Sequence, residues 1–176
     1  MTNTNFKFIN GIDEYKIITM IGTFELRRGH DVLFKSFAKI INYIPKTKLL
    51  IIGTGTEKEK KRINQLIDLN NLRPHIILLG YREDATDIIN ISDLIVNPVT
   101  EFESFGLVAL ECMALKKLIL SSDVGGTSEV IINNKTGFLF NSGDTKQLSK
   151  RMLELGNTFF TAEYWDNWKA FLGNLK

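Results

Sequence analysis

The sequence is poor in cysteine, in long apolar runs and in net charge. Its single cysteine, Cys112, excludes an internal disulfide and favours a reducing compartment. The longest apolar runs are far shorter than the roughly 20 residues that a membrane-spanning helix needs. The residues after Met1 are polar and do not resemble the apolar part of a signal peptide. We therefore expect a cytoplasmic protein.

The charge balance excludes a second group of functions. Charged residues make up 24% of the chain, but the formal net charge is only +2. So small an excess does not predict a nucleic-acid-binding surface, and any bound anion must be held by local geometry. The 176 residues, 44% of them hydrophobic, suffice for one well-packed core and are few for two. We expect one folded domain.

Short apolar runs ending in glycine or a polar residue recur along the chain. They occupy residues 15–22, 47–53, 75–80, 93–99, 117–122 and 136–140. Between them lie helical patterns at 30–43, 57–69 and about 84–91, and Asp144 can cap a last helix reaching about Leu155. This alternation predicts an α/β fold: a single Rossmann-like domain with a doubly wound parallel sheet of about six strands and helices on both faces.

The two ends of the chain differ from this core. Residues 1–15 have neither helical nor strand periodicity, so we predict a linker or N-terminal extension followed by a domain at 16–156. Residues 157–176 contain both tryptophans of the protein. We predict an aromatic C-terminal helix there, whose rings would form an interface if they were exposed.

Ligands of parallel α/β sheets bind at the carboxyl ends of the strands. The most unusual of these ends is the stretch 97–111, NPVTEFESFGLVALE. We predict that Ser104 caps the helix here and that Gly106 leaves the first-turn amides open to a phosphate. The alternative is a capped helix without a ligand.

Glu111 is the only charge among the apolar residues of that helix. At 100° per residue it lies between Leu107 and Leu115, so we expect its carboxylate to need a partner or a ligand. Glu103 stands just outside the helix start, about 10 Å away at 1.5 Å per residue. The two carboxylates could bracket a diphosphate, with a sugar on one side and a ribose on the other.

Several neighbouring residues have simpler interpretations. Arg27 and Arg28 precede another helix start and could neutralise phosphate oxygens, although such a pair is often only surface. His30 is expected to be a helix residue and not a general base. Glu101 and Glu103 have the spacing of a metal-binding dyad, but two carboxylates that alternate along an extended loop do not predict a metal site.

Gly53 and Gly55 suggest a dinucleotide-binding turn. The third glycine of that fingerprint is missing, because position 58 is a lysine, and the motif follows the second strand instead of the first. A dehydrogenase that binds NAD is therefore a remote alternative. The second turn, Gly125 and Gly126, either lets backbone approach a ligand or only makes a tight turn.

Three segments together resemble a known family: Glu103-SFGLVAL-Glu111, Ser122-DVGGTSEV and Lys135-TGFLF. They are similar to the retaining glycosyltransferases of family four, which have the two-domain GT-B fold. The resemblance covers about residues 16–155. It implies that this chain is the C-terminal, donor-binding domain of such an enzyme.

The resemblance also implies roles for individual residues. Glu111 would hold the ribose hydroxyls of the donor, and Glu103 would approach the transferred sugar. Arg28, where relatives have lysine, would neutralise the diphosphate. The backbone of three consecutive residues would meet phosphate or sugar oxygens: Phe105, Gly106 and Leu107.

Two further sites follow from the resemblance. Thr23 stands where many relatives have an arginine after the first strand, and Arg27 could substitute for it. The base would be contacted around Tyr81 and Arg82. Relatives need no metal, so we expect a UDP-linked or GDP-linked sugar as donor and no other cofactor.

As a whole, the resemblance implies a hexosyl-transferring enzyme of bacterial surface polysaccharide synthesis that acts on a glycan or glycolipid. An N-terminal acceptor-binding domain would be its partner in cis or in trans, and any attachment to the inner face of the membrane would occur through that missing half. We expect no nucleic-acid partner and no activity of this chain alone. The alternative is a non-catalytic module that binds a sugar nucleotide or a partner protein.

Overall fold

The computed structural model describes Phe6 and residues 11–158 of the chain. Within these residues strands and helices alternate, as the apolar runs predict. The strands are β1 (Lys16–Ile21), β2 (Thr47–Ile52), β3 (Ile76–Gly80), β4 (Leu94–Asn97), β5 (Ile119–Ser122) and β6 (Phe138–Phe140). The helices are α1 (His30–Ile40), α2 (Glu57–Leu69), α3 (Ala85–Ile91), α4 (Leu107–Ala114), α5 (Thr127–Val130) and α6 (Thr145–Thr158), and a 3-10 turn spans Leu26–Arg28.

The strands form one six-stranded sheet in the order β3-β2-β1-β4-β5-β6, and every pair is parallel. β1 lies in the middle, with Ile18 opposite Leu49 of β2 on one side and Leu94 of β4 on the other. The chain therefore builds the sheet outward to β3 and then returns to the other side of β1. The predicted doubly wound α/β fold is confirmed.

Alternation along the strands divides the core into two faces. Ile18 and Met20 of β1 pack in the large cluster with α1, α2 and α6, whereas Ile17 packs in a cluster on the other side with α3. A third cluster joins β4 and β5 to α4 through Ala109 and Cys112. Strands covered on both faces must be apolar throughout, which explains the continuous apolar runs of the sequence.

The helix starts have different local causes. Thr56 and Glu59 form a capping box at α2: the Thr56 hydroxyl accepts from the Glu59 amide, and the Glu59 carboxylate accepts from the Thr56 amide at 2.7 Å. Asp144 accepts from the amides of Lys146 and Gln147 at 2.9 Å each, as predicted for the cap of α6. α1 and α4 begin without a side-chain cap, each after a glycine with a positive φ.

The observed boundaries differ from the predicted ones in a few places. α1 ends at Ile40, so Tyr43 lies beyond it and is exposed. Ile12 is 1% exposed and packs against the sheet, although we predicted a linker there. α6 crosses the predicted domain boundary and ends at Thr158. The predicted aromatic helix lies, from residue 159 onward, outside the described residues.

Two expectations from composition can be compared with the described residues. Cys112 is fully buried, and burial is the main cause that raises the pKa of its thiol to about 12, with the Glu111 charge adding to it. It is a core residue. In the part of the chain that the structure describes, no helix combines the length and the apolar character needed to cross a bilayer.

Candidate functional site

An ion pair joins the segments that follow β1 and β4 at the carboxyl edge of the sheet. Nη1 of Arg28 donates to Oε2 of Glu103 at 2.9 Å, across 75 residues of sequence. The two side chains are only 21% and 14% exposed, so their attraction is screened less than that of a surface pair. The structure thus brings together the two residues that were predicted to act at the diphosphate and at the sugar.

One backbone and one side-chain hydrogen bond hold the 3-10 turn against the acidic loop, which is the segment 98–106 between β4 and α4. The Thr100 amide donates to the Arg27 carbonyl at 2.8 Å, and Nη1 of Arg27 donates to the Phe102 carbonyl at 3.3 Å. Gly29 makes this contact possible, because a Cβ at its position would lie 1.8 Å from the Pro98 carbonyl oxygen. The Arg28–Glu103 pair therefore rests on two segments whose backbones are in contact.

The turn at Gly125 and Gly126 packs against the other side of the acidic loop. The Gly126 amide donates to the Glu103 carbonyl at 2.8 Å. A Cβ on Gly125 would lie 2.2 Å from that same carbonyl oxygen, and one on Gly126 would lie 2.6 Å from the carbonyl of Ser104. Because these glycines have no Cβ, the backbone of the turn can contact the backbone of the acidic loop. The turn therefore helps to fix the position of Glu103.

The helix start at α4 corrects one prediction. Gly106 and not Ser104 is the N-cap residue: its φ is 70°, and its carbonyl accepts from the amides of Ala109 and Leu110. The left-handed glycine turns the chain at position 106, which leaves Ser104 exposed and two residues outside the cap. The first-turn amides of α4 lack intrahelical partners, as at every helix start.

Glu111 corrects a second prediction. Its carboxylate was expected in an apolar environment, but Glu111 is exposed, and its neighbours Leu107 and Leu110 are themselves 61% and 37% exposed. α4 buries only Ala109 and Cys112 against the sheet. Glu111 therefore needs no partner within the fold, and its role as a ribose acceptor stays a prediction.

The loop after β1 binds its own arginine. Nε of Arg27 donates to Oε2 of Glu25 at 2.6 Å, and the Thr23 hydroxyl donates to Oε1 of the same carboxylate at 3.0 Å. The hydrogen bonds from Arg27 and then from Thr23 hold the pKa of Glu25 below its usual value. Arg27 could replace the arginine that relatives have at position 23 only if it left Glu25 and bound the diphosphate instead.

Tyr81 and Arg82, predicted near the base, follow β3 at one end of the strand order. Tyr81 is 74% exposed, and Arg82 donates from two nitrogens to both oxygens of Asp84, at 2.7 and 2.5 Å. β2 and β1 separate this segment from the acidic loop. Three strand spacings of 4.7–4.9 Å put β3 about 14 Å from β4.

The described residues limit other chemistry at this edge. They contain no group of three or more His, Cys, Asp or Glu placed to hold a metal ion. His30 is buried between Phe24 and Phe34, and burial, with Arg62 and Arg28 nearby, lowers its pKa to about 3. It is a helix residue, as predicted, and its neutral ring is too weakly basic to serve as a general base at neutral pH.

The glycine turn after β2 is unsuited to a dinucleotide. A Cβ on Gly55 would lie 2.7 Å from a carboxylate oxygen of Glu59. The same carboxylate caps α2, and hydrogen bonds from Thr56 hold its pKa below the usual value, so it stays ionised at neutral pH. An anion beside the turn repels a pyrophosphate, which argues against the NAD alternative.

Sequence reasoning missed a buried polar cluster below the acidic loop. Nδ2 of Asn97 donates to Oγ of Ser121 at 3.1 Å, and Oγ of Ser122 donates to the Val99 carbonyl at 2.6 Å. All four residues are buried. Polar residues at the end of two otherwise apolar strands were a usable signal, since buried polar groups require partners. The cluster fixes the point at which the acidic loop leaves β4.

Comparison with solved structures shows that the fold matches a domain found in GT-B glycosyltransferase structures. HepE from Anabaena, in complex with UDP and glucose, superposes with a TM-score of 0.85 at 21% identity, over 96% of this chain and 46% of that protein. The C-terminal domain of LpcC, a glycosyl transferase group 1 family protein from Francisella tularensis, gives a TM-score of 0.81 at 19% identity, over 99% of this chain and 93% of that one.

Sequence comparison gives the family. The model of the glycosyl transferases group 1 family matches residues 2–163, and this chain belongs to that family. It is 35% identical over 154 residues to N-acetyl-alpha-D-glucosaminyl L-malate synthase from Bacillus anthracis. It is 28% identical over 152 residues to the capsular polysaccharide biosynthesis glycosyltransferase CapM from Staphylococcus aureus. Each match covers 86% of this chain and 39% of the relative, so the chain spans about two fifths of their length.

Proposed function

We propose that this chain is the nucleotide-sugar-binding half of a retaining glycosyltransferase of family four. It would hold a UDP-linked or GDP-linked sugar, with no other cofactor, for transfer to a glycan or glycolipid in bacterial surface polysaccharide synthesis. The observation that carries the proposal is the half-buried Arg28–Glu103 pair beside the start of α4. It puts a cation, a carboxylate and first-turn amides at one edge of the sheet.

The chemistry of this arrangement suits a departing nucleoside diphosphate. Negative charge on the leaving phosphate oxygens would be stabilised by Arg28 and by the amides around Phe105, Gly106 and Leu107. Glu103, which holds Arg28 in place, would lie on the sugar side. Glu111, on the exposed side of α4, would accept hydrogen bonds from the ribose hydroxyls, and Tyr81 with Arg82 would lie toward the base.

The proposal includes a second half that completes the enzyme. An N-terminal acceptor-binding domain, in cis or in trans, would close over the carboxyl edge, and the chain alone would be inactive. Two observations support it: the chain covers 39% of its relatives, and Phe105 and Leu107 beside the site are 59% and 61% exposed. Residues 157–176 would pack on that domain, and any attachment to the membrane would occur through it.

The names of the relatives support the class of reaction. HepE was solved with UDP and glucose, CapM is named for capsular polysaccharide biosynthesis, and the Bacillus anthracis synthase is named for N-acetylglucosaminyl malate. The two names and the ligands of HepE are consistent with sugar transfer.

Calorimetric titration with UDP and GDP tests the donor site. The wild-type chain should bind one of them, and Glu111→Ala should weaken binding about tenfold, the effect of losing one or two hydrogen bonds to ribose. Glu14→Ala, which removes an exposed carboxylate paired with Lys46 at the opposite edge, should bind like wild type. Absence of binding by the wild type, or equal binding by Glu111→Ala, overturns the assignment.

A second candidate is a module that binds a sugar nucleotide or a partner protein without transfer. It is favoured by the loop after β1, where Thr23 replaces a cation and Arg27 is paired with Glu25. The two candidates differ in a transfer assay of this chain mixed with the N-terminal half of a relative. Transfer that is abolished by Arg28→Ala favours the enzyme, and binding of UDP without transfer favours the module.

A further inference from the structure

Two arginines follow one another in the 3-10 turn, and each of them is bound by a carboxylate. Arg28 pairs with Glu103, and these two side chains are only 21% and 14% exposed. Arg27 pairs with Glu25, and these two are 35% and 43% exposed. The first pair joins distant segments of the chain, whereas the second lies within one loop. The two guanidinium groups therefore differ in how easily they can leave their partners.

The pair of Arg27 and Glu25 can be exchanged at little cost. An ion pair between exposed side chains contributes little free energy, because water screens the charges and two long side chains must be held in one geometry. Both side chains also line an open cavity of about 880 Å³, so they have room to change conformation. Movement of Arg27 onto another anion therefore meets little steric resistance.

The Glu25 carboxylate is nevertheless a well-oriented partner. The Thr23 hydroxyl donates to its Oε1 at 3.0 Å, and Nε of Arg27 donates to its Oε2 at 2.6 Å, so both oxygens accept a hydrogen bond. Because these hydrogen bonds hold the pKa of Glu25 below its usual value, the carboxylate is ionised at neutral pH. A ligand that takes Arg27 must therefore compete with a full negative charge.

Other contacts hold Arg27 beside the candidate site independently of Glu25. Its carbonyl accepts from the Thr100 amide at 2.8 Å. Its Nη1 donates at 3.3 Å to the carbonyl of Phe102, the residue before Glu103. Loss of the Glu25 carboxylate would leave the guanidinium at the acidic loop and would make its Nε available to another anion.

Release of Arg27 has a second cost, which arises from Glu59 of α2. Hydrogen bonds from Thr56 hold the pKa of Glu59 below its usual value, and the charge of Glu25 opposes this shift, so the two carboxylates are near neighbours. When Arg27 turns away, they have one cation fewer beside them, and their repulsion grows. A ligand that takes Arg27 must offset this repulsion as well as the lost ion pair.

We propose that Glu25 competes with the donor diphosphate for Arg27 and thereby lowers the affinity of the site. Arg27 is paired with Glu25 before a nucleoside diphosphate binds, and it then exchanges the carboxylate for a phosphate oxygen through a charge-assisted hydrogen bond. Arg28 keeps its bond to Glu103, because its departure would leave a largely buried carboxylate without a partner. This inference rests on the proposed function, since it concerns the same donor site.

Calorimetric titration with whichever of UDP and GDP the wild-type chain binds tests the proposal. Glu25→Gln should bind that nucleotide about fivefold more tightly, because neither an exposed ion pair nor the repulsion behind it has to be overcome. Glu57→Gln is the matched control, since it neutralises a carboxylate that forms another exposed pair, with Lys60 at 2.8 Å, at the start of α2. It should bind like the wild type. Equal or weaker binding by Glu25→Gln, or equal tightening in both variants, overturns the proposal.

NMR of the Arg27 Nε group observes the exchange itself. In the wild type this signal should shift when the nucleotide binds, because phosphate replaces the Glu25 carboxylate as its acceptor. The Nε signal of Arg73, which donates to Asp68 at 3.0 Å, is the internal reference and should not move. Tighter binding by Glu25→Gln without a shift at Arg27 would mean that the carboxylate acts through its charge alone, and the exchange would be refuted.

The proposed function and this inference fail in distinguishable ways. A chain that binds neither UDP nor GDP refutes the donor site, and the competition at Arg27 is refuted with it. A chain whose nucleotide binding is weakened by Glu111→Ala but unchanged by Glu25→Gln keeps the donor site and refutes only the role of Glu25.

Discussion

The helices α1 and α4 begin alike and are buried very differently. Each starts at the carboxyl edge of the sheet after a glycine in the left-handed region, with φ of 73° at Gly29 and 70° at Gly106. α1 buries five apolar side chains: Val32, Leu33, Phe34, Phe37 and Ile40. α4 buries Ala109 and Cys112, while Leu107 and Leu110 remain exposed.

This difference separates stability from function. The apolar residues of α1 are covered by α2, α6 and the sheet, so they stabilise the fold. Exposed apolar side chains in and before α4 form an apolar surface beside the Arg28–Glu103 pair. They are Phe102, Phe105, Leu107 and Leu110. Such surfaces on soluble proteins usually mark a binding site. We expect mutations in α1 to lower the stability of the fold and mutations in α4 to weaken binding.

The largest expected contrast comes from truncating one side chain in each helix. Phe37→Ala should lower the free energy of unfolding by about 3–5 kcal/mol, because it leaves a cavity in the core. Leu107→Ala should change it by less than about 1 kcal/mol, because most of that side chain already contacts solvent. Urea unfolding followed by circular dichroism measures both, and a comparable loss in the two variants would refute the distinction.

The two glycines give the next contrast. An alanine at either position carries the cost of the left-handed conformation, about 1–2 kcal/mol. At Gly29 its Cβ would also lie 1.8 Å from the Pro98 carbonyl oxygen, whereas at Gly106 the nearest atom, the Thr127 Cα, is 3.5 Å away. Thermal unfolding should therefore show Gly29→Ala to be the more damaging by about 1–3 kcal/mol. If both variants lost the same stability, the backbone at Pro98 would move away from the new Cβ at little cost, and the close contact at Gly29 would not matter for stability.

The pH dependence of stability should reveal the buried His30 of α1. Its folded pKa of about 3 lies below the unfolded value of 6.5, so the unfolded chain takes up the proton first as the pH falls. Stability is complete above the unfolded pKa and should decline by about 1 kcal/mol between pH 6.5 and 5.5. His30→Leu should remove this part of the decline, and Lys35→Gln, on the exposed face of α1, should retain it. If the free energy of unfolding of His30→Leu fell with pH as steeply as that of the wild type, His30 would not be the cause of the decline.

The smallest contrast concerns helix capping. Asp144→Ala should cost about 1 kcal/mol, because the carboxylate accepts from two amides at the start of α6. Ser104→Ala should cost almost nothing, since Gly106 occupies the cap of α4. Denaturant midpoints measured side by side test both expectations. If Ser104→Ala lost as much stability as Asp144→Ala, Ser104 and not Gly106 would be the N-cap residue of α4.

The sheet was predictable because buried parallel strands leave a strong local signal. Each strand reads as an apolar run, and the glycine or polar residue that ends the run lies at the edge where ligands bind. The capping box of Thr56 and Glu59 and the cap at Asp144 also depend on side chains a few residues apart. Information of this kind is contained in short windows of sequence.

The errors at the site arise where a residue's environment depends on distant parts of the chain. Helical periodicity placed Glu111 among leucines, but whether those leucines are buried depends on what packs over α4, which the helix sequence does not specify. The cap at Gly106 depends on the left-handed backbone angle of that glycine. The prediction instead chose Ser104, because serine is a common N-cap residue. The Arg28–Glu103 contact joins residues 75 positions apart, so only the fold could pair them.

The strand order also has a consequence for how the chain folds. β1 pairs with β2 at once, but its other neighbour is β4, and the Ile17 amide meets the Asp93 carboxylate across 76 residues. A chain synthesised from its N-terminus therefore carries a long-lived unpaired edge on the strand that will become the centre of the sheet. Unpaired edges invite intermolecular pairing, and contacts of such long range form slowly. We therefore expect intermolecular strand pairing to compete with folding most strongly in the interval before β4 is made.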